Sequence, residues 1–187
     1  IYDNTLFIFT SDNGPWLNFG NHAGSALPLR EGKGTAWEGG QREPTVVSFP
    51  NLIKGEQTIE TPMMAIDILP TIAEITGAEL PKNTIDGKSI LKILTGEDKQ
   101  SPQEAYFFYY KSNELHGVRY KDWKLYFPHS YRTLNGREGG KDGYPVKYEM
   151  NTIEKIELYD LKNDISETND VAAQHPEVVE KIKVLAN

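Results

Sequence analysis

No cysteine occurs among the 187 residues, which excludes disulfides, thiolate zinc sites and a cysteine nucleophile within the chain. Positive charge is also short. Twenty Lys and Arg stand against 27 Asp and Glu, a formal net charge of −7, so neither nucleic acid nor an acidic membrane is an expected partner. The apolar runs fall well short of the ~20 residues a membrane-crossing helix needs. Residues 1–10 lack a basic start and a small-residue cleavage site, and read as a strand from the middle of a protein. What is present is a globular composition, 38% hydrophobic and 11% aromatic, enough to bury a core.

The chain is organised around Thr5-Leu6-Phe7-Ile8-Phe9-Thr10-Ser11-Asp12-Asn13-Gly14. Its apolar half has no helical spacing and reads as a strand buried on both faces. The polar half then falls at the strand's C-terminal end, where ligands bind in open α/β sheets, so Asp12 and Asn13 are candidate site residues. Asp-Asn-Gly is equally a turn sequence, and that simpler reading stands beside the functional one.

Residues 15–44 show neither a period of 2 nor one of 3.6, and are expected to form a long loop. Such loops are usually functional, and Trp16, Phe19 and Trp37 argue against disorder. A strand follows near 45–49. A helix is expected over 63–77, with Asp67 as its cap, Pro70 in its first turn and Gly77 as its terminator. Its core face would carry Ile68, Leu69, Ile72 and Ile75. A shorter helix covers 88–94. The charged stretch 95–102 marks a boundary, giving expected domains 1–98 and 99–187. The second domain shows four strand-like segments, at 105–110, 117–120, 123–127 and 157–161, with Lys121-Asp122 as a hairpin turn. Residues 129–148 read as an insertion. A helix begins at Pro176 with Val178, Ile182 and Leu185 on one stripe. The acidic run from Asp160 is no EF-hand, since Ile165 and Val171 stand where glycine and the bidentate glutamate belong.

A second cluster, Gly32-Lys33-Gly34-Thr35-Ala36-Trp37-Glu38-Gly39-Gly40-Gln41-Arg42-Glu43-Pro44, precedes the strand at 45–49. It is not a P-loop, because Leu27 replaces the first glycine and Gly34 the Ser or Thr after the lysine. With Ser11-Asp12-Asn13-Gly14, Asp67-x-x-Pro70-Thr71 and Leu158-Tyr159-Asp160-Leu161, it resembles the second half of the sulfatase family, in the alkaline phosphatase superfamily. The resemblance covers nearly the whole chain and is weakest at 129–156.

That resemblance implies an α/β fold: an incomplete alkaline-phosphatase-like sheet followed by a small antiparallel sheet with a packed helix. It implies hydrolysis of sulfate esters, with calcium held by Asp12 and Asn13 and with Lys33 as the catalytic lysine that reaches the substrate sulfate. Calcium takes six to eight oxygens, so this ligand set is incomplete. The family's formylglycine arises from Cys or Ser in Cys/Ser-x-Pro-x-Arg, a motif missing here. The chain is therefore expected to be the C-terminal part of a longer enzyme and inactive by itself, its exposed sheet covered by the missing half or by another copy. His116 and His22 are either substrate-binding or ordinary hydrogen-bonded histidines. Glu38 and Arg42 are expected to pair and hold their loop. The substrate would be a sulfated small molecule or glycan, and the location periplasmic or extracellular. Alternatives are a phosphodiesterase or phosphonate hydrolase of the same superfamily, or a non-catalytic remnant that binds a sulfated sugar.

Overall fold

The computed structural model describes residues 1–187 and divides into two compact units of a mixed α/β class. The first comprises Ile1–Phe9 and Val46–Glu104. Strands β1 (Phe7–Phe9) and β2 (Val46–Ser48) pair antiparallel, Ile8 opposite Val47. Burial on both faces was the expectation for β1, yet Phe7 is 56% and Phe9 65% exposed. The ladder is covered on one face only: Val47 packs on the small core of Ile90, Ile93 and Leu94, whereas Phe7, Phe9 and Val46 lie on the other, uncovered face.

Helix α1 (Ile68–Thr76) follows a single 3-10 turn at Ala65–Asp67 and ends at Gly77, where φ is +70°. The left-handed conformation needed there favours glycine. Asp67 does cap, but by reaching back: its carboxylate accepts from the Met64 N–H at 3.0 Å, and also from the Lys88 N–H at 2.9 Å and Gln103 Nε2 at 3.1 Å. The expected core stripe is corrected in part. Pro70, Thr71 and Ala73 are buried, whereas Leu69 and Ile72 face outward. Thr71 explains the rotation. Its hydroxyl donates to the Asp67 carbonyl at 2.6 Å and accepts from the Ile90 N–H at 3.0 Å, which draws that side toward α2 (Leu91–Thr95). The small core beneath is Ile90, Ile93 and Leu94, with Val47, Ile53, Ile59 and Met63 against it.

The second unit comprises Thr10–Thr45 and Ala105–Asn187. Residues 10–45, expected with the first domain, thus belong with the C-terminal sheet. That sheet is four-stranded and antiparallel: β3 (Tyr106–Tyr110), β4 (Glu114–Tyr120), β5 (Trp123–Tyr126) and β8 (Glu157–Asp160), in that spatial order. These are the four segments legible from the sequence. The stretch 129–148, expected as an insertion, opens with a strand, β6 (His129–Thr133), which pairs antiparallel with β7 (Glu149–Ile153) just beyond it. Their polar composition hides the alternation that would mark a strand.

Successive strand residues point to opposite faces, and both faces of the four-stranded sheet are covered. On one, Val118, Leu125 and Leu158 pack on Ile182 of helix α3 (Pro176–Leu185). On the other, Tyr126 and Tyr159 meet Trp37 and Ala36 of the glycine-rich loop, together with Tyr131 and Ile153. The Trp37 ring lies 4.2 Å from Tyr126 and 5.5 Å from Tyr131 and Tyr159, centroid to centroid, which are favourable aromatic separations. The loop is thereby held as a layer of the fold.

Candidate active site

Two glycine-rich segments abut to form the site. The Gly14 N–H donates to the Gly40 carbonyl at 3.2 Å and the Lys33 N–H to the Pro15 carbonyl at 3.0 Å. A Cβ on Gly14 would lie 1.8 Å from the Gly39 oxygen, so only glycine permits this approach. The contact places Asn13 and Lys33 on one cleft of about 400 Å³, which Ser11, Trp16, Ser25 and Glu43 also line.

Asn13 donates its amide to the Gly14 carbonyl at 3.2 Å, which leaves its side-chain oxygen available. Asp12 beside it is exposed. The Glu43 carboxyl is raised above the usual carboxylate range by burial and by the neighbouring charge of Asp12, and its Oε1 is buried without a hydrogen-bond partner. Carboxylate and carboxamide oxygens are the donors a hard divalent cation takes, so these residues fit part of such a site. The chain does not complete one, for no three acidic or His side chains come together at metal-binding distance.

Lys33 has no carboxylate partner, and its ammonium lies 5.2 Å from the centre of the Trp16 ring. Its carbonyl accepts from Nε of Arg132 at 2.8 Å and from Nη2 of the same guanidinium. Gly34, at φ +86°, lets the chain turn beneath that guanidinium. The lysine backbone is therefore fixed while its charge stays free for an anion.

Glu38 and Arg42 were expected to pair, and they lie 3.9 Å apart. The stronger partners of Glu38 come from the sheet: Lys124 Nζ at 2.7 Å and Arg119 Nη1 at 3.2 Å. Burial pushes its carboxyl up, but Lys124 and Arg119 outweigh burial and hold it below the usual range. Glu167, also buried, accepts from the Glu38 N–H at 2.8 Å and from the Tyr126 hydroxyl. This network anchors the loop to β4 and β5.

The two histidines fall elsewhere. His22 is exposed on the loop after Asn13 and does not line the cleft. His116 is 3% exposed, stacked 4.0 Å from His129, with Nε2 3.1 Å from Glu114. Trp16 and Glu43, not singled out as site residues, do reach the cleft. The available signal was their position inside or next to the two motifs.

His129 carries a pH prediction. Its Nδ1 lies 2.7 Å from the Phe127 carbonyl and its Nε2 is buried without a partner; burial, with His116 and Lys111 nearby, lowers its pKa from 6.5 to about 4. The unfolded chain binds this proton below about pH 6.5 and the folded chain only near 4, so stability falls as pH drops through that window, by about 2 kcal/mol between pH 7 and pH 5. Urea midpoints at pH 7 and pH 5 should show the loss. His129→Phe should lessen the pH slope, and an unchanged slope would remove His129 as its source.

Residues 32–137 match the family described as N-sulphoglucosamine sulphohydrolase, C-terminal, and residues 101–187 the C-terminal region of aryl-sulfatase. Over 193 residues the sequence is 35% identical to arylsulfatase A of Homo sapiens, covering 99% of this chain and 38% of that protein. It is 32% identical to an N-acetylgalactosamine-6-O-sulfatase of Bacteroides thetaiotaomicron, with 98% and 36% covered. A crystal structure of a sulfatase from Pseudoalteromonas sp. superposes with a TM-score of 0.80 at 27% identity, covering 99% of this chain and 37% of that one. The chain thus spans 38% or less of each of these proteins. The motifs, the folded loop that carries them and these matches across the chain place it in the sulfatase family.

Proposed function

We propose that these 187 residues form the C-terminal part of a calcium- and formylglycine-dependent sulfatase that hydrolyses sulfate esters. The observation that carries this reading is the cleft itself, where the unpaired Lys33 ammonium and the oxygen donor Asn13 share one wall system beside exposed Asp12. A sulfate ester needs cationic contacts on its non-bridging oxygens, whose charge must be stabilised through transfer. Lys33 would supply one such contact as a compact ammonium. Asp12 and Asn13 would be two of the calcium ligands, and the ion would neutralise sulfate oxygens when bound.

The nucleophile and remaining ligands would come from outside these residues, since no Cys or Ser-x-Pro-x-Arg occurs among them. The exposed faces of β1 and β2 would be covered by that other part or by another copy. A sulfated sugar is the favoured substrate class, supported by the relative named for N-acetylgalactosamine 6-O-sulfate. A periplasmic or extracellular location accords with such substrates.

The expected result is that the purified chain shows no turnover of 4-nitrophenyl sulfate above a Lys33→Ala control, because covalent catalysis cannot proceed without its nucleophile. Measurable turnover would show that the chemistry resides here and overturn the division of the site.

A further inference from the structure

Trp16 is 45% exposed and is packed on one side. Phe19 packs edge-on against it with centroids 4.8 Å apart. Its neighbour Pro15 accepts the Lys33 N–H at 3.0 Å, so the two loops are joined one residue from the indole and at the lysine itself. The Lys33 ammonium then lies over the indole at 5.2 Å, and both side chains line the same cleft.

We propose that Trp16 is a positioning residue: it orients the Lys33 ammonium toward a tetrahedral oxyanion in the cleft. This rests on the reading of the cleft as a sulfate-ester site. A lysine stem has four rotatable bonds and loses considerable rotamer freedom when its head is fixed. An aromatic face attracts the cation through its quadrupole and restricts that freedom in advance. A carboxylate in the same place would also fix the lysine, but it would compete with an anionic ligand. The indole attracts the ammonium without neutralising it, so Lys33 keeps its hydrogens and its charge for the ligand. Glu38, Glu167, Arg119 and Lys124 show the contrasting arrangement in this same unit, with their charges satisfied among themselves.

The test uses the whole 187-residue chain, ¹⁵N-labelled, titrated with sodium sulfate at constant ionic strength. The indole N–H resonance of Trp16 reports locally, and the dissociation constant is read from the titration. In the unmodified chain sulfate should shift that resonance, and Lys33→Ala should abolish the shift and the binding. Trp16→Ala should weaken sulfate binding roughly 2- to 5-fold, the scale of a cation–π contact at an exposed site, with the signal followed at the Gly34 amide. Trp16→Phe should restore most of the affinity, because it keeps an aromatic face; a purely steric role would be met equally by Trp16→Leu. Should Trp16→Ala fail to fold, the Phe and Leu pair still decides the question. Equal binding by Trp16→Ala and the unmodified chain, or by the Phe and Leu variants, would overturn the role of Trp16 while leaving the anion site standing. If the unmodified chain shows no response to sulfate, or Lys33→Ala binds as well as it does, the reading of the cleft fails and the proposal fails with it.

Discussion

Replacing Glu38 with Ala is expected to cost the folded chain about 3–5 kcal/mol, a large part of the 5–15 kcal/mol typical of a globular protein. Lys124 is fully buried, and its closest anionic oxygen is Glu38 Oε1 at 2.7 Å; Glu167 lies farther, at 4.0 Å. Removing Glu38 leaves the ammonium in a low-dielectric interior with one distant partner, and Arg119 also loses its 3.2 Å contact. Breaking one side of a buried pair costs more than the pair contributes, because the remaining charge stays desolvated. The double variant Glu38→Gln with Lys124→Met removes both charges and should be less destabilised than Glu38→Ala alone. Urea unfolding at pH 7 measures both. A loss under 1 kcal/mol for Glu38→Ala would show that the network does not hold the loop on the sheet. The same logic has a pH arm: the folded carboxyl of Glu38 is held below its unfolded value, so its contribution is present above about pH 4.5 and is lost as pH falls toward the folded value.

Asp12→Ala should behave in the opposite way. In an enzyme that includes these residues, activity toward sulfate esters is expected to fall at least ~10²- to 10³-fold, the scale set by removing one preorganised electrostatic contact to a developing charge. Stability should change by no more than about 0.5 kcal/mol, because the side chain is exposed. Truncating it would leave burial raising the Glu43 carboxyl and remove only the smaller contribution of the Asp12 charge. Kinetics and a thermal melt on the same preparation separate the effects. A variant that unfolds at ambient temperature and is not rescued by excess calcium would make Asp12 a structural turn residue, the simpler meaning of Asp-Asn-Gly.

The contrast between Glu38 and Asp12 shows how far the chain could be read. Both are acids within two positions of a glycine, and both lie in segments with family motifs. Their difference lies in what covers them. One is buried against β4 and β5, and the other faces solvent. Local sequence carries no record of a partner more than 80 positions away.

Similarly, α1 was legible from Pro70 and Gly77, but its buried side was not. The apolar stripe of Leu69 and Ile72 is a sound periodic signal, and the competing signal was a single hydroxyl, Thr71, whose bond to Ile90 depends on where α2 packs. His116 was open to two readings because a histidine before a strand has no sequence mark of its depth; its stacking with His129 is set by the adjacency of β4 and the start of β6.

By itself the sequence determined the four-strand alternation of the C-terminal sheet, the stripe of α3, and the residue types that can meet an anion or a hard cation. Those are local matters of period, turn chemistry and side-chain functional groups. The tertiary structure alone decided that the glycine-rich loop is a layer over that sheet. Lys124 alternates like a solvent-facing strand residue, yet it is buried because Trp37 and Glu38 close over its face. It also decided that Trp16 and Lys33, 17 positions apart, share a cleft, since the approach of Gly14 to Gly39 and Gly40 depends on backbone contacts that no pattern of side chains records.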